Sequence, residues 1–308
     1  MAKNNRGRRD VASHLGLVDS PLAGDPTVVL ERESSHRPSG SARSKSPRSK
    51  SVRSKSRGRK KLPSDTTIVG VIARRLFRWA YRLIAAFVIT SVAMVIVYRF
   101  IDPPFTPLML IRPLEAVGEG RFVWVSKEWI DLEKIDPDVV RSVIAAEDAR
   151  FFQHTGIDWK AIEDAQKRNE RADGRKIYGG STISMQCAKN VFLWQGRNYL
   201  RKGLEAYFTY LIELVWGKER ILEVYLNVIE WGDGIYGVEA AAEATYDRSA
   251  ANLTARQAAL LAAVLPNPRH YSAKQPGSYV RGRASRIQAG ARIVKLPYAP
   301  TPATAKKK

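Results

Sequence analysis

An uncharged apolar stretch of 16 residues, Leu83–Tyr98 (LIAAFVITSVAMVIVY), restricts the structures available to this chain. As an α-helix it spans about 24 Å, a little less than the ~30 Å hydrocarbon core of a bilayer. The wider segment Trp79–Ile101 has 23 residues. Arg82 and Arg99 lie near its ends, where their side chains can reach the headgroups. The pattern predicts one membrane-spanning helix.

A buried core helix and a secretory signal peptide are the alternative interpretations of this stretch. A signal peptide would begin near residue 1, and no Ala-x-Ala cleavage site follows cleanly here. No second span is expected, because Leu204–Trp216 is interrupted by Glu205 and Glu213.

The flanking charges predict the orientation of the span, because positive residues concentrate on its cytoplasmic side. Four arginines crowd the N-terminal side: Arg74, Arg75, Arg78 and Arg82. After Arg99 the next positive residue is Arg112. Residues 1–80 are therefore predicted in the cytoplasm, and everything after residue 102 outside it.

The net charge of +21 suggests a polyanionic partner: nucleic acid, phosphate or an anionic membrane. Residues 1–82 contain 20 Lys and Arg but only six Asp and Glu, a net charge of +14. Within them Ser39–Lys61 is low-complexity Ser, Arg and Lys, which predicts disorder. A nucleic-acid-binding arm is one interpretation. Beside a membrane span, a cytoplasmic tail touching anionic lipid is the more economical one.

These features predict four regions: a disordered basic cytoplasmic tail (1–66), a juxtamembrane segment with the single membrane helix (67–101), an exported domain (102–295) and a C-terminal tail (296–308). The single cysteine, Cys187, excludes an intramolecular disulfide and a multi-cysteine zinc site. We interpret Cys187 as a small buried hydrophobic residue rather than a nucleophile.

The exported domain is predicted to be mainly α, with a minor β element. Pro103, Pro104 and Pro107 predict an extended linker, and Arg121–Val125 (RFVWV) a short strand. The helix signals are Asp136 as N-cap before Pro137, two helical stretches within Arg197–Trp231 broken at Gly217, and a Thr254/Gln257 capping box before a helix ending at Pro266.

Two further patterns within this domain are ambiguous. Gly232–Gly237 fits G-x-G-x-x-G, but a helix precedes it, so we predict a tight loop between helices rather than a dinucleotide site. Glu147 falls on the apolar face of the helix that starts at Pro137. A carboxylate there is either paired, or desolvated with a raised pKa as general acid–base chemistry requires.

Five segments, in order, resemble the motifs of the biosynthetic peptidoglycan glycosyltransferases, the lysozyme-like glycosyltransferase family 51. They are AAEDARFFQHTGID (145–158), YGGSTISMQCAKNVF (178–192), RKGLEAY (201–207), KERILEVYLN (218–227) and GDGIYGVEAAAEATY (232–246). The chain departs from the family pattern at Met185, where a glutamine is usual, at Cys187, and at Tyr246. No room remains for a transpeptidase domain, so the chain is similar to the monofunctional members.

The resemblance implies a lysozyme-like glycosyltransferase domain that polymerises glycan chains for cell-wall biogenesis. Glu147 would accept the proton of the 4-hydroxyl of lipid II while that oxygen attacks a glycan linked to polyprenyl pyrophosphate, giving a β-1,4 bond with inversion. Residues implied to bind the pyrophosphate and lipid II are Ser181, Thr182, Gln186, Lys189, Asn190, Arg197, Arg201 and Lys202. Supporting motif residues are Asp148, Phe151, His154 and Gly156.

The family's second carboxylate matches Glu205, which would position these cations or hold a divalent metal ion, Mg²⁺ or Mn²⁺. No organic cofactor is implied. The implied partners are lipid II, the pyrophosphate-linked glycan, the bacterial inner membrane crossed once, and cell-wall synthesis or division proteins, with no nucleic acid. Gln166–Ile177 would form a lid over the acceptor, and Val191–Trp194 would either dip into the bilayer surface or belong to the core.

Two rival functions remain at this point. A peptidoglycan hydrolase shares the fold and a catalytic Glu, but it acts on neutral glycan and does not need the cluster of Lys189, Arg197, Arg201 and Lys202. A single-span scaffold whose basic tail recruits partners leaves the five motif segments unexplained.

Overall fold

The computed structural model of the protein describes residues 65–172, 179–196 and 198–298. Residues 1–64 of the predicted cytoplasmic tail, Arg197 of the predicted site and residues 299–308 lie outside the described residues. Within the described ranges the chain is mostly helical with three very short strands, which confirms the predicted fold class.

The first helix, α1 (Asp65–Phe100), contains the predicted membrane span. Its segment Val69–Phe100 contains an 18-residue window with a mean hydropathy of 2.2 and is long and apolar enough to cross a membrane. Many of its large apolar side chains are exposed, including Leu83, Ile84 and Ile89. That exposure suits a helix whose solvent is lipid rather than water.

The C-terminal half of α1 is fastened to the rest of the protein by polar contacts. The hydroxyls of Ser91 and Tyr207 lie 2.8 Å apart, and the Trp216 indole N–H donates to the Val95 carbonyl at 2.7 Å. Arg220 donates to the Tyr98 carbonyl at 3.0 Å. The helix and the domain therefore form one packed unit at this end of α1.

The predicted extended linker is shorter than expected, because a second helix, α2 (Pro107–Gly118), begins at its last proline. Thr106 caps α2 by accepting from the Met109 N–H. Proline suits the first turn of a helix, where its missing N–H has no partner to lose. Pro107 is therefore a helix start, and the prediction of a linker through it was wrong.

Eight further helices among the described residues build the domain and confirm the predicted helix signals. They are α3 (Pro137–Glu147), α4 (Trp159–Ala172), α5 (Ile183–Phe192), α6 (Tyr199–Val215), α7 (Gly217–Val228), α8 (Val238–Tyr246), α9 (Ala255–Val264) and α10 (Ser278–Ala291). Asp136 caps α3 through the Asp138 N–H, Gly217 separates α6 from α7 with φ +77°, and Thr254 with Gln257 forms the capping box of α9.

The strand positions correct two predictions. A small sheet has the order β1 (Ser126–Lys127), β3 (Ile235–Tyr236), β2 (Glu230–Gly232), with β1 parallel and β2 antiparallel to β3. Arg121–Val125 is not a strand: its β-favouring residues lack a partner, and pairing starts only at Ser126. Gly232–Gly237 lies within a hairpin rather than a plain loop, and the hairpin follows α7, so the dinucleotide interpretation fails here.

The central helices bury the apolar faces that their sequences predicted. Cys187 is fully buried, and this burial raises the pKa of its thiol, so it is a core residue as expected. Val191 and Leu193 are buried and the Phe192 ring stacks on Phe208 at 4.5 Å, which places most of Val191–Trp194 in the core. Trp194 alone of these four is exposed.

Asn227 ties α7 to the chain that leads into α3. Its side chain is fully buried and hydrogen-bonds both backbone groups of Ile130. It accepts from the Ile130 N–H at 2.9 Å and donates to the Ile130 carbonyl at 2.8 Å. Replacing Asn227 by Ala should lower the free energy of unfolding by about 2–4 kcal/mol, because two buried backbone groups lose their partners. Thermal unfolding of the detergent-solubilised protein measures this effect.

The matched control for this prediction is Asn252→Ala, which removes an exposed asparagine. Its unfolding temperature should stay close to that of the wild type. An Asn227→Ala protein as stable as the control would contradict the structural role assigned to Asn227.

Candidate active site

Glu147 is the last residue of α3. Its carboxylate lies where α3 meets α5 and α10. Its Oε2 accepts from the Gln186 amide of α5 at 3.0 Å, and its Oε1 accepts from the Arg283 guanidinium of α10 at 3.2 Å. The Glu147 side chain is only 14% exposed. The sequence left pairing and desolvation as alternatives, and the structure contains both.

Burial raises the pKa of Glu147, and its hydrogen-bond donors oppose that rise without cancelling it. Desolvation is the largest cause, the Gln186 amide and the positive charges of Arg283 and Lys189 lower the pKa, and neighbouring Asp148 raises it. A carboxylate with a raised pKa is a stronger base for a hydroxyl proton near neutral pH. Glu147 therefore has the electrostatic environment of a general base.

Gln186 links Glu147 to the protein interior. Its Oε1 accepts from the buried Tyr225 hydroxyl at 3.2 Å, while its amide N–H₂ donates to Glu147. The Asn190 amide donates to the Gln186 backbone carbonyl at 2.9 Å. Gln186, held by Tyr225, thus orients the carboxylate. Met185, the departure from the family pattern, is buried in the core next to them.

The supporting residues of the first motif form the turn behind Glu147. Asp148 is buried, accepts from the Ile183 N–H at 3.0 Å and pairs with the His154 ring at 3.0 Å. Gly156 has φ +98°, and a Cβ there would lie 2.8 Å from a Thr209 methyl carbon. The turn therefore holds α5 against α3, and only glycine fits at its tightest point.

Phe151 and Thr182 are buried and have structural roles. Phe151 is fully buried, and the Lys218 ammonium lies 4.5 Å from its ring centre. Thr182 is 2% exposed, caps α5 through the Met185 N–H and donates to the Gly156 carbonyl. Its hydroxyl is engaged in these bonds, but Thr182 also lines the cleft that contains Glu147, so its role in substrate binding stays a prediction.

Glu205 organises the predicted cation cluster. It is buried, with one carboxylate oxygen 2.5 Å from Arg201 Nη1 and the other 2.5 Å from Lys202 Nζ. Lys189 lies close enough for its ammonium to interact with Glu205 and with Glu147. Of the predicted cations, Lys189, Arg201 and Lys202 are therefore grouped around Glu205, and Lys189 also interacts with Glu147.

Two clefts meet at the Glu147–Gln186 hydrogen bond. The α4 cleft has a volume of about 260 Å³, and its lining includes Glu147, Asp148, Arg150, Asp158, Asp164, Arg168 and the exposed Ser181. The α5 cleft has a volume of about 270 Å³, and its lining includes Gln186, Lys189, Asn190, Tyr225, Asn267 and Arg269. Glu147 itself lines the α4 cleft, and its hydrogen-bond partner Gln186 lines the α5 cleft.

The predicted lid is partly a helix. Residues 166–172 belong to α4, next to the α4 cleft, and residues 173–178 lie outside the described part of the chain. The polar, charged sequence of this segment had suggested a lid over the acceptor. Charged residues on the outer face of an amphipathic helix explain the same composition.

Carboxylates near the site are already occupied by protein partners. Asp148, His154 and Asp158 have ligand atoms within 4.8 Å of one another, but Asp148 pairs with His154, and Asp158 pairs with Arg150 at 2.7 Å. Glu205 belongs to neither of the two carboxylate-rich groups found among the described residues. A divalent cation at Glu205 would lie beside the positive charges of Arg201 and Lys202, which repel it.

Sequence reasoning missed Arg283 and underestimated Tyr225. Arg283 follows Glu147 by 136 residues and lies outside the five motif segments, so no spacing pattern connects the two. Tyr225 lies in the fourth motif segment but was not among the predicted site residues, yet its hydroxyl donates to Gln186. Both contacts exist only because α7 and α10 fold back against the end of α3.

The chain also matches known proteins. A family model described as transglycosylase matches residues 115–291. The biosynthetic peptidoglycan transglycosylase of Bdellovibrio bacteriovorus is 52% identical over 212 residues, 69% of this chain and 84% of that protein. The proteins of the same name from Caulobacter vibrioides (52% over 222 residues; 71% and 93%) and Xanthomonas campestris pv. campestris (51% over 221; 71% and 89%) are similar. The chain therefore belongs to the transglycosylase family and is a peptidoglycan glycosyltransferase.

Proposed function

We propose that this enzyme polymerises glycan chains from lipid II. The main observation in support is that one buried carboxylate, Glu147, lies near the cation cluster of Lys189, Arg201 and Lys202. A glycosyl transfer from a pyrophosphate donor needs both a base for the incoming hydroxyl and positive charge at the leaving group.

In the proposed step Glu147 takes the proton from the 4-hydroxyl of lipid II. The hydroxyl oxygen forms a bond to the anomeric carbon of the donor glycan as the bond from that carbon to the pyrophosphate oxygen breaks. The electron pair leaves with polyprenyl pyrophosphate, and one displacement inverts an α linkage to β-1,4. Negative charge grows on the pyrophosphate, where lysine and arginine stabilise it.

The cation cluster favours this synthase over a peptidoglycan hydrolase. A hydrolase releases a sugar hydroxyl from neutral glycan, and no dianion develops in its transition state. Arg201 is only 11% exposed and is held by a buried carboxylate, so it is not an ordinary solvated surface charge. Such an arrangement has a cost in desolvation that an anionic ligand would offset.

The test is the reaction itself. Purified full-length protein in detergent, given lipid II and a divalent cation, should produce glycan polymer and release polyprenyl pyrophosphate. Preformed, uncrosslinked glycan in a parallel reaction should remain intact. Cleavage of that glycan without polymer formation from lipid II would assign the enzyme to the hydrolases.

We also propose an inner-membrane location with residues 1–80 in the cytoplasm and the catalytic domain on the outer side. The membrane-compatible helix α1 and its flanking arginines support this orientation. Alkaline phosphatase fused after residue 110 should therefore be active when expressed in bacteria. A fusion after residue 60 serves as the cytoplasmic control and should be inactive, and the reverse pattern would overturn the orientation.

A further inference from the structure

Arg283 is the one residue of α10 that contacts Glu147 among the described hydrogen bonds. Its Nη2 lies 3.2 Å from Glu147 Oε1 and 3.4 Å from the Ala146 carbonyl, and its side chain is 23% exposed. The same guanidinium therefore contacts both the C-terminal end of α3 and the carboxylate that α3 presents.

The two carboxylate oxygens of Glu147 have donors from different helices. Gln186 of α5 occupies one lone pair of Oε2, and Arg283 of α10 occupies one lone pair of Oε1. A carboxylate has about four acceptor positions, so two stay available for an incoming hydroxyl. Two fixed donors set the plane of the carboxylate, which a single donor would leave free to rotate.

We propose that Arg283 is a positioning residue, which fixes the Glu147 carboxylate in its ionised form and in the plane needed to accept the acceptor's proton. The inference rests on the proposed role of Glu147 as general base. Arg283 acts through Glu147 rather than on the reacting atoms. Its positive charge on α10 stabilises the negative charge of the Glu147 carboxylate at the end of α3.

The charge of Arg283 also gives this role a signature in pH dependence. The groups that face Glu147 are Asp148 from its own chain segment, Lys189 from α5, Tyr225 from α7 and Arg283 from α10. Arg283 favours the carboxylate form, so removing its charge should raise the pKa of Glu147 further. The base is active when ionised, so the acidic limb of the rate profile should move to higher pH.

The experiment compares three full-length variants in the polymerisation assay. Arg283→Gln removes the charge, Arg283→Lys retains it without the planar fork, and Arg286→Gln is the matched control. Arg286 lies on α10 too but is exposed, and its Nε bonds to the Gly282 carbonyl of its own helix. We expect Arg283→Gln to lower kcat by about 100-fold, as small misplacements of catalytic groups do, with KM near that of the wild type.

The two variants at Arg283 should differ in pH behaviour. Arg283→Gln should shift the acidic limb of kcat upward, Arg283→Lys should restore much of its position, and Arg286→Gln should leave both kcat and the limb unchanged. An Arg283→Gln protein that folds but shows an unchanged acidic limb, or only a raised KM, would overturn the positioning role. If Arg283→Gln does not fold, the test rests on Arg283→Lys. The acidic limb of its kcat profile must then lie close to that of the wild type.

A direct titration separates this inference from the proposed function. Isotope-edited infrared spectroscopy, with the Glu147→Gln protein as the difference reference, follows the carboxylate band of Glu147 without substrate. The band should titrate at higher pH in Arg283→Gln than in wild type, even if the enzyme proves inactive on lipid II. Equal titration in both proteins would reject the coupling, whereas a shifted titration in a protein inactive on lipid II would reject only the proposed reaction.

Discussion

Replacing Glu147 by Gln should reduce the rate of lipid II polymerisation by about 10²–10⁴-fold, the usual contribution of a general base. Glutamine has nearly the shape of glutamate, and it can still accept from Arg283 through its carbonyl oxygen. It cannot take a proton from the acceptor hydroxyl. The loss should therefore appear in kcat, while the affinity for lipid II changes little because the clefts keep their lining.

The measurement is the initial rate of polymer formation over a range of lipid II concentrations and pH. Glu133→Gln is the matched control, since Glu133 is exposed in a short turn before α3. The control should keep the wild-type rate. A Glu147→Gln enzyme with more than about a tenth of the wild-type kcat would show that another group removes the proton.

The wild-type enzyme should lose activity on acidification at a pH above the ordinary range for a glutamate. Burial raises the pKa of Glu147, so protonation of the base begins at higher pH than it would for an exposed carboxylate. The ionised form is the active one, and the rate therefore falls as pH drops through this raised pKa.

Local sequence signals predicted the elements that depend on local physics. The caps at Asp136 and Thr254 and the break at Gly217 are each set by backbone groups within a few residues, and the structure confirms all three. Glu147 was found for the same reason: helical periodicity alone places it on the buried face of α3. Such signals survive folding because neighbours in sequence remain neighbours in space.

The errors occurred where a distant partner decides the outcome. Arg121–Val125 has β-favouring side chains, but the strand forms at Ser126, where Gly234 supplies a carbonyl. A Cβ on Gly234 would lie 2.6 Å from the Trp124 carbonyl oxygen, so the hairpin fits against this segment only because residue 234 is glycine. Arg283 was missed on the same grounds, since it meets Glu147 only through the packing of α10 on α3.

The resemblance named the cations and left two roles open for Glu205, positioning them or holding a metal ion. The spacings i, i+3 and i, i+4 on α6 bring Arg201 and Lys202 onto the one buried carboxylate of Glu205. Helical spacing alone would allow a surface pair of little value. Burial of Glu205 is what turns the spacing into a fixed arrangement, and burial depends on the whole domain.

Replacing Glu205 by Gln should lower kcat/KM for lipid II by about 100-fold or more, because it leaves Arg201 and Lys202 without their shared counter-charge. Removing one partner of a buried ion pair is strongly destabilising, by about 3–5 kcal/mol. The freed cations, close to Lys189, should move apart and leave the position where a pyrophosphate oxygen develops charge. The matched control is Glu163→Gln, which breaks an exposed pair with Lys167 on α4 and should change the rate little.

The same variant separates a positioning role of Glu205 from a metal-binding one. We propose that a divalent cation, Mg²⁺ or Mn²⁺, acts with the departing pyrophosphate, and that Glu205 is not its ligand, because the Arg201 and Lys202 charges on its two oxygens repel a cation there. After chelation, titration with Mg²⁺ should then give the same half-saturating concentration for Glu205→Gln as for wild type, at a lower maximal rate. A large increase in that concentration for Glu205→Gln, with Glu163→Gln unchanged, would contradict this proposal and favour a metal-binding role for Glu205, because loss of a ligand weakens the binding of the ion itself.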